Sequence, residues 1–298
     1  MVIQCDTADI DHFTRVRMPT ISQLVIYPIK SCAGLAVDHA TLTTAGLVHK
    51  GVGDREWMVV DPSGQFLTQR EFSRMARIMP QVRDGLVSVT FPDMAALPLE
   101  RRHLPEDETR LVAVWDDHVI ATDCGDVAAA WFTQVIGTPC RLVRFRENVV
   151  RSTSTRWTGG VAAETRFADG YPLLAIGDAS LADLNARLLA AGREAVPMNR
   201  FRANLVIDGI DAFEEDYAAT FTVGDAVVAP VKPCSRCPIP SIDQATGVPG
   251  PDLLDILGTY RANARMDGAI CFGMNCIVTA GAGAALRVGQ EVEVKLAF

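Results

Sequence analysis

Short runs rich in β-branched and aromatic residues dominate the first half of the chain. Ile21–Tyr27, Glu56–Val60, Gln65–Thr68 and Leu86–Phe91 predict strands, because such side chains pack well on a pleated surface. Between two of them lies Asp61-Pro62-Ser63-Gly64, where Pro presets φ and Gly accepts a positive φ, so a hairpin is expected. Leu181, Leu184 and Leu188 instead recur at helical spacing. Ser180 with Asp183 fits a capping box before that stripe, and Gly192 stops it. A second helix is expected over Asp252–Arg265, carrying Leu253, Leu254, Leu257 and Tyr260. Thr222-Val223-Gly224-Asp225 and Arg287-Val288-Gly289-Gln290 echo one another as turns leading into strands, the second into an alternating strand over Glu291–Leu296. The Arg-rich stretch from Arg141 to Trp157 reads as a solvated loop or an inter-domain connection. Many short strands, few helices and regular turn signals give a mainly β (α+β) chain, built as a small barrel or sandwich.

Composition adds the scale. The chain has 298 residues, 49% hydrophobic and 21% charged, enough for two modest cores. Composition and motifs change character near the middle, so two packed subdomains are expected, 20–142 and 143–298. A net charge of -8 argues against nucleic acid or an anionic membrane as the main partner. The N-terminal residues lack the basic and apolar regions of a secretory signal. No run of about 18 apolar residues is present to span a membrane. A soluble cytoplasmic protein is expected, with a local basic pocket for a small anion still allowed.

Eight cysteines are too sparse for a disulfide scaffold in a chain of this size. Cys5, Cys32, Cys124 and Cys140 are isolated and read as small buried hydrophobes. Cys234-Ser235-Arg236-Cys237 admits four readings. It could close a zinc site with Cys271 and Cys276. It could form a thioredoxin-like dithiol, although Pro238 and Pro240 oppose the helix that must follow. It could supply one thiolate ligand to a softer metal, flanked by Lys232 and Arg236, or it could simply be buried. Three other segments set donors beside strands: Lys30 and Ser31 after one, Arg55 at the start of the next, and Arg202 with Asn204 before Leu205-Val206-Ile207. Lys, Arg, Ser and Asn are the donors that bind a phosphate and a fused-ring heterocycle.

These segments together resemble a known family. Tyr-Pro-Ile-Lys-Ser-Cys (27–32), Asp-Arg-Glu-Trp (54–57), Leu-Thr-Gln-Arg (67–70), Ser-Leu-Ala-Asp-Leu-Asn (180–185), Arg-Phe-Arg-Ala-Asn (200–204) and Cys-Ser-Arg-Cys followed by Ser-Ile-Asp-Gln-Ala-Thr-Gly (241–247) occur in order. The chain is similar to MOSC-domain proteins with an N-terminal MOSC β-barrel domain. That group includes the amidoxime-reducing component and the C-terminal domain of molybdenum-cofactor sulfurase. The resemblance implies a β-barrel MOSC domain packed against a smaller N-terminal β-barrel-like domain. It implies Cys237 as the molybdenum ligand. It assigns Lys30, Ser31, Arg55, Arg202 and Asn204 to the pterin phosphate and ring system, with Arg70 beside them and Asp243 as a proton donor or supporting group. It also implies a pyridoxal-phosphate-independent oxidoreductase that uses molybdenum cofactor (molybdopterin) to remove oxygen from small N-hydroxylated substrates. Electrons would come from a separate ferredoxin- or cytochrome-type donor with its reductase. The alternative is a carrier of the cofactor or of persulfide sulfur on Cys237. Tyr171 departs from the pattern, standing where amidoxime-reducing members have a small hydroxyl residue.

Overall fold

A computed structural model describes residues 18–83, 86–100 and 108–298; Cys5 lies outside them. The chain is mainly β, as expected. Its largest sheet has nine strands. Along it run Leu35–Val37, Thr20–Ile26, Leu205–Asp208, Leu173–Gly177, Ala269–Ala280, Ala226–Ser235, Ala218–Val223 and Glu293–Leu296, while Ala262–Asn263 pairs with Ala269–Ile270. Leu173–Gly177 and Leu205–Asp208 are parallel, and the Asp178–Ala190 helix makes the crossover between them. A four-stranded sheet joins Thr109–Val114, Asp117–Asp123, Arg141–Phe145 and Trp57–Val60.

The period-two pattern explains the strand placement. Ile21, Leu24 and Ile26 bury into the main core beside Trp57, Val59, Leu173, Leu205 and Phe221. The expected turn forms, with the Asp61 N–H donating to the Gln65 carbonyl at 2.8 Å and Gly64 at φ 91°, but Gln65–Thr68 is not a strand and makes only isolated bridges, Phe66 with Val60 and Gln65 with Ala113. Leu86–Thr90 is a strand of the three-stranded sheet. The echoed turns behave alike, since Gly224 and Gly289 both take positive φ, and the strands that follow flank Ala218–Val223. Thr20–Ile26 pairs antiparallel with Leu205–Asp208, from Thr20 opposite Asp208 to Leu24 opposite Leu205. The 20–142 and 143–298 segments therefore share one sheet.

Three further sequence expectations are corrected. The Leu181/Leu184/Leu188 helix begins at Asp178, not Ser180, with Gly177 at its N-cap. The Ser180 hydroxyl is fully buried; it donates to Glu215 Oε2 and accepts the Phe213 N–H. The Asp252–Arg265 helix shrinks to Leu254–Leu257. Leu253 and Leu257 bury as expected, but Ala262–Asn263 is captured by the neighbouring Ala269–Ile270 edge, and strand pairing displaces helix there. The Arg141–Trp157 stretch is not a solvated loop. Arg141–Phe145 is a strand of the four-stranded sheet, and Arg144 and Arg151 are buried. Their charges are matched, Arg144 by Glu56 at 2.7 Å and Arg151 by Asp117 at 2.7 Å.

Candidate functional site

The Thr20–Ile26 strand runs directly into the first site segment. The Lys30 N–H donates to the Trp57 carbonyl, and the Trp57 N–H donates to that of Pro28, fixing the segment against the Trp57–Val60 strand. The Gly53–Arg55 turn meets it from the side: the Arg55 N–H donates to the Tyr27 carbonyl at 2.7 Å, and the Tyr27 N–H donates to Asp54 Oδ1 at 2.8 Å. Asn204 locks both to the next strand. Its Nδ2 donates to Asp54 Oδ1 at 2.9 Å and to the Val25 carbonyl at 3.0 Å, while its Oδ1 accepts the Arg55 guanidinium and the Leu174 N–H. Arg55 and Arg202 each lie over the Tyr27 ring, 4.4 and 4.3 Å from its centroid.

These contacts wall a cavity of about 720 Å³. Lys30, Ser31, Arg55, Arg70, Arg202, Asn204 and Cys237, predicted from scattered segments, all line it. Asp243 does not. Its Oδ1 accepts the Ala245 and Thr246 N–H groups and the Thr246 hydroxyl, and its Oδ2 holds Arg200 at 2.9 Å. The Thr246 contacts, aided by Arg200, keep its carboxyl below the usual range, which suits a turn brace better than a proton donor. Asn204 lines the cavity, and every hydrogen-bonding position of its amide is engaged by protein, which positions Arg55.

The cavity is cationic. Eight basic residues line it (Lys30, Arg55, Arg70, Arg151, Arg200, Arg202, Lys232 and Arg236) against Asp116, Asp117 and Asp169. Burial pushes the pKa of Lys30 down, opposed by its ion pair with Asp169; its ammonium also donates to the Phe167 carbonyl at 2.9 Å. Desolvation of Asp169 is outweighed by Lys30 and the Trp115 indole N–H, which hold its carboxyl well below the usual range. Burial and the adjacent Arg55 lower Arg202 as well. The guanidinium of Arg236 donates to the Phe272 and Phe201 carbonyls, so it braces the backbone beneath the cysteines.

Cys237 is half-buried on the cavity wall, after the Ala226–Ser235 strand. Burial raises the thiol pKa of Cys234, Cys271 and Cys276, that of Cys271 to about 11. The zinc reading is not supported: among the described residues the four cysteines do not form a compact ligand group. The dithiol reading fails, since only a short 3-10 turn, Ile239–Ser241, follows Cys237.

Two signals were missed in the sequence. Gln69 donates to the Ser31 carbonyl at 2.8 Å and exchanges hydrogen bonds with Gln244, tying three of the quoted motifs together. Backbone strain also concentrates here. Ser31, Arg55, Trp115 and Arg202 line the cavity at φ 64°, 47°, 57° and 59°, a region non-glycine residues rarely enter and one that clusters at functional sites. No sequence signal announces a left-handed arginine. Finally, Thr153 Oγ1, Tyr171 OH and Arg200 Nε are buried polar atoms of lining residues without a protein partner.

Comparison with known proteins gives the frame for this geometry. Residues 18–139 match the MOSC N-terminal beta barrel domain, and residues 162–293 match the MOSC domain. The chain is 34% identical over 246 residues to human mitochondrial amidoxime reducing component 2, covering 81% of this chain and 72% of that one. It is 32% identical over 259 residues to human mitochondrial amidoxime-reducing component 1, covering 81% and 72%. A molybdenum cofactor sulfurase of Oryza sativa subsp. japonica is 30% identical over 91% of this chain, which spans only 35% of that protein. No helix among the described residues is long and apolar enough to cross a membrane. With both domains matched in order and relatives aligned over most of their length, the chain belongs to the MOSC family, akin to the amidoxime reducing components.

Proposed function

We propose that this protein is a molybdenum-cofactor-dependent reductase of N-hydroxylated compounds such as amidoximes and hydroxylamines. One observation carries the reading: donors from four distant segments and the Cys237 thiol line a single cationic cavity. The residues fit the group. A cavity with this excess of cations suits a phosphorylated heterocycle, and three buried polar atoms among its lining residues have no protein partner. Lys30, Ser31, Arg55 and Arg202 would hold its phosphate and ring system, Arg70 would lie at the same wall, and Cys237 would ligate the metal as a thiolate. When bound, the cofactor supplies two-electron oxygen-atom transfer.

The chain's own residues would supply binding and electrostatics. Asn204 and Asp54 hold Arg55 rigid, so its charge needs no reorganisation when an anion arrives. Arg151 is fixed by Asp117 and by the carbonyls of Arg166, Ala168 and Asp169, which stiffens the wall facing Lys30. Tyr171, bulkier than the hydroxyl residue expected there, would narrow the site and restrict substrate size. A cytoplasmic setting and a separate electron-donor protein belong to the same proposal.

The test is elemental and kinetic. Wild-type protein made in a cofactor-producing host should carry stoichiometric molybdenum and reduce benzamidoxime with reduced viologen as donor. Cys237→Ser should abolish turnover while leaving the melting temperature unchanged. Molybdenum-replete wild type inert towards amidoximes and hydroxylamines would refute the reading. Sulfane sulfur on Cys237 without molybdenum would favour a sulfur carrier instead.

A further inference from the structure

Outside the cavity, the small sheet formed by Ala285–Arg287, His39–Thr43, Gly46–His49 and Val52–Gly53 carries a second constellation. We propose that Asp38, His39 and His49 form a binding site for a borderline divalent metal ion, Zn²⁺, independent of the cofactor cavity. None of the three lines that cavity. One ligand atom from each lies within 4.8 Å of the others, and the two imidazole centroids are 5.0 Å apart. Among the described residues this is the only such group of His, Cys, Asp and Glu.

The hydrogen bonds prepare these side chains for a metal. His49 is buried, and its Nδ1 lies 2.8 Å from the His39 carbonyl oxygen. A carbonyl only accepts, so Nδ1 carries the proton and the neutral ring keeps its lone pair on Nε2. A backbone carbonyl fixing the tautomer of a histidine is the usual support behind a metal ligand. Asp38 Oδ1 lies 2.7 Å from His39 Nδ1, so carboxylate and ring nitrogen already face one another, and a metal would take the place of the proton they share.

Two imidazoles and a carboxylate select Zn²⁺ over the harder Mg²⁺ or Ca²⁺, which prefer all-oxygen shells. Zinc–ligand bonds of about 2.0–2.2 Å set ligand atoms about 3.3 Å apart. Asp38 is exposed and His39 half-exposed, so side-chain rotation closes the remaining gap; water would complete the tetrahedron. Arg287, opposite His39 in the ladder, is exposed, so its charge is largely screened by solvent. Bound metal would clip together the two strands that lead through Val52–Gly53 to Arg55.

The experiment is a Zn²⁺ titration of the full-length, tag-free protein against a chromophoric chelator, paired with thermal melts. Wild type should bind one Zn²⁺ that His39→Gln and His49→Gln each weaken at least tenfold, and zinc should raise the melting temperature of wild type alone. Asp38→Asn, altering an exposed side chain, guards against misfolding of the histidine variants and should weaken binding at least threefold. Failure of wild type to bind, or affinity unchanged in His39→Gln and Asp38→Asn, overturns the proposal. The readout involves neither molybdenum nor amidoxime reduction, so it stands or falls apart from the proposed activity.

Discussion

Asn204 is engaged at all four hydrogen-bonding positions of its amide, between the Val25 carbonyl, Asp54, Arg55 and the Leu174 N–H. It is 1% exposed. Asn204→Leu keeps much of the volume but strands the Val25 carbonyl, the Leu174 N–H and one Asp54 contact in the interior. Each lost partner costs about 1–3 kcal/mol, partly relieved by local relaxation, so a total near ~3 kcal/mol is expected. Urea unfolding measures it as a lower midpoint at unchanged slope. A midpoint equal to wild type would mean that Asn204 does not bear on the structure, and that its role must be direct ligand contact. The residue type and position were legible in the sequence; the direction of its amide was not. That direction depends on Asp54, 150 positions away in the chain, and no local pattern encodes it.

At the scale of elements, the sequence spoke clearly where one face of a short run is buried. Thr20–Ile26, Trp57–Val60 and Leu86–Thr90 fall where alternation and β-branching put them. It misled where a tertiary partner outbid a local rule. The Gly125–Ile136 helix, not among the expected elements, carries a helical stripe (Ala128, Trp131, Phe132, Val135) and a left-handed Gly137 stop. Ser180 looked like a cap, but it hydrogen bonds to Glu215 at 2.7 Å inside the protein. Glu215 is fully buried, and its Oε1 has no partner. Desolvation raises its pKa, against the Ser180 and Gly177 hydrogen bonds. A carboxyl raised on folding contributes stability that is full below its unfolded value of about 4.3 and is lost as pH rises through the folded value. Glu215→Gln cannot titrate. The stability of wild type relative to this variant should therefore fall as pH rises above the unfolded value of about 4.3 and through the raised folded one. Urea midpoints of the two proteins across that range test it, and the difference isolates Glu215 from its neighbour Asp216. A difference that does not change with pH would show that folding leaves the Glu215 pKa unshifted.

For the whole molecule, the two segments matched as separate domains share the main core. Thr20–Ile26 lies between Leu35–Val37 and Leu205–Asp208 in one sheet, and Ala285–Arg287 pairs back onto His39–Thr43. One cluster of buried side chains takes Ile21, Leu42 and Phe132 from the first segment together with Leu173, Phe221 and Leu286 from the second. The cavity follows the same division: Lys30, Ser31 and Arg55 come from one side, and Arg202, Asn204 and Cys237 from the other. Removing residues 20–142 would expose Leu205, Val206 and Ile207 along an unpaired strand edge, which favours aggregation over folding. The full chain should thus unfold in one calorimetric transition, with equal calorimetric and van't Hoff enthalpies. The 143–298 fragment alone should lack near-UV circular dichroism and a cooperative melt, and co-expression with 18–142 should restore both. A fragment that melts cooperatively by itself would show the shared sheet to be a docking contact. In that case the cavity would assemble only when the two parts meet, and ligand binding would depend on how tightly they hold together.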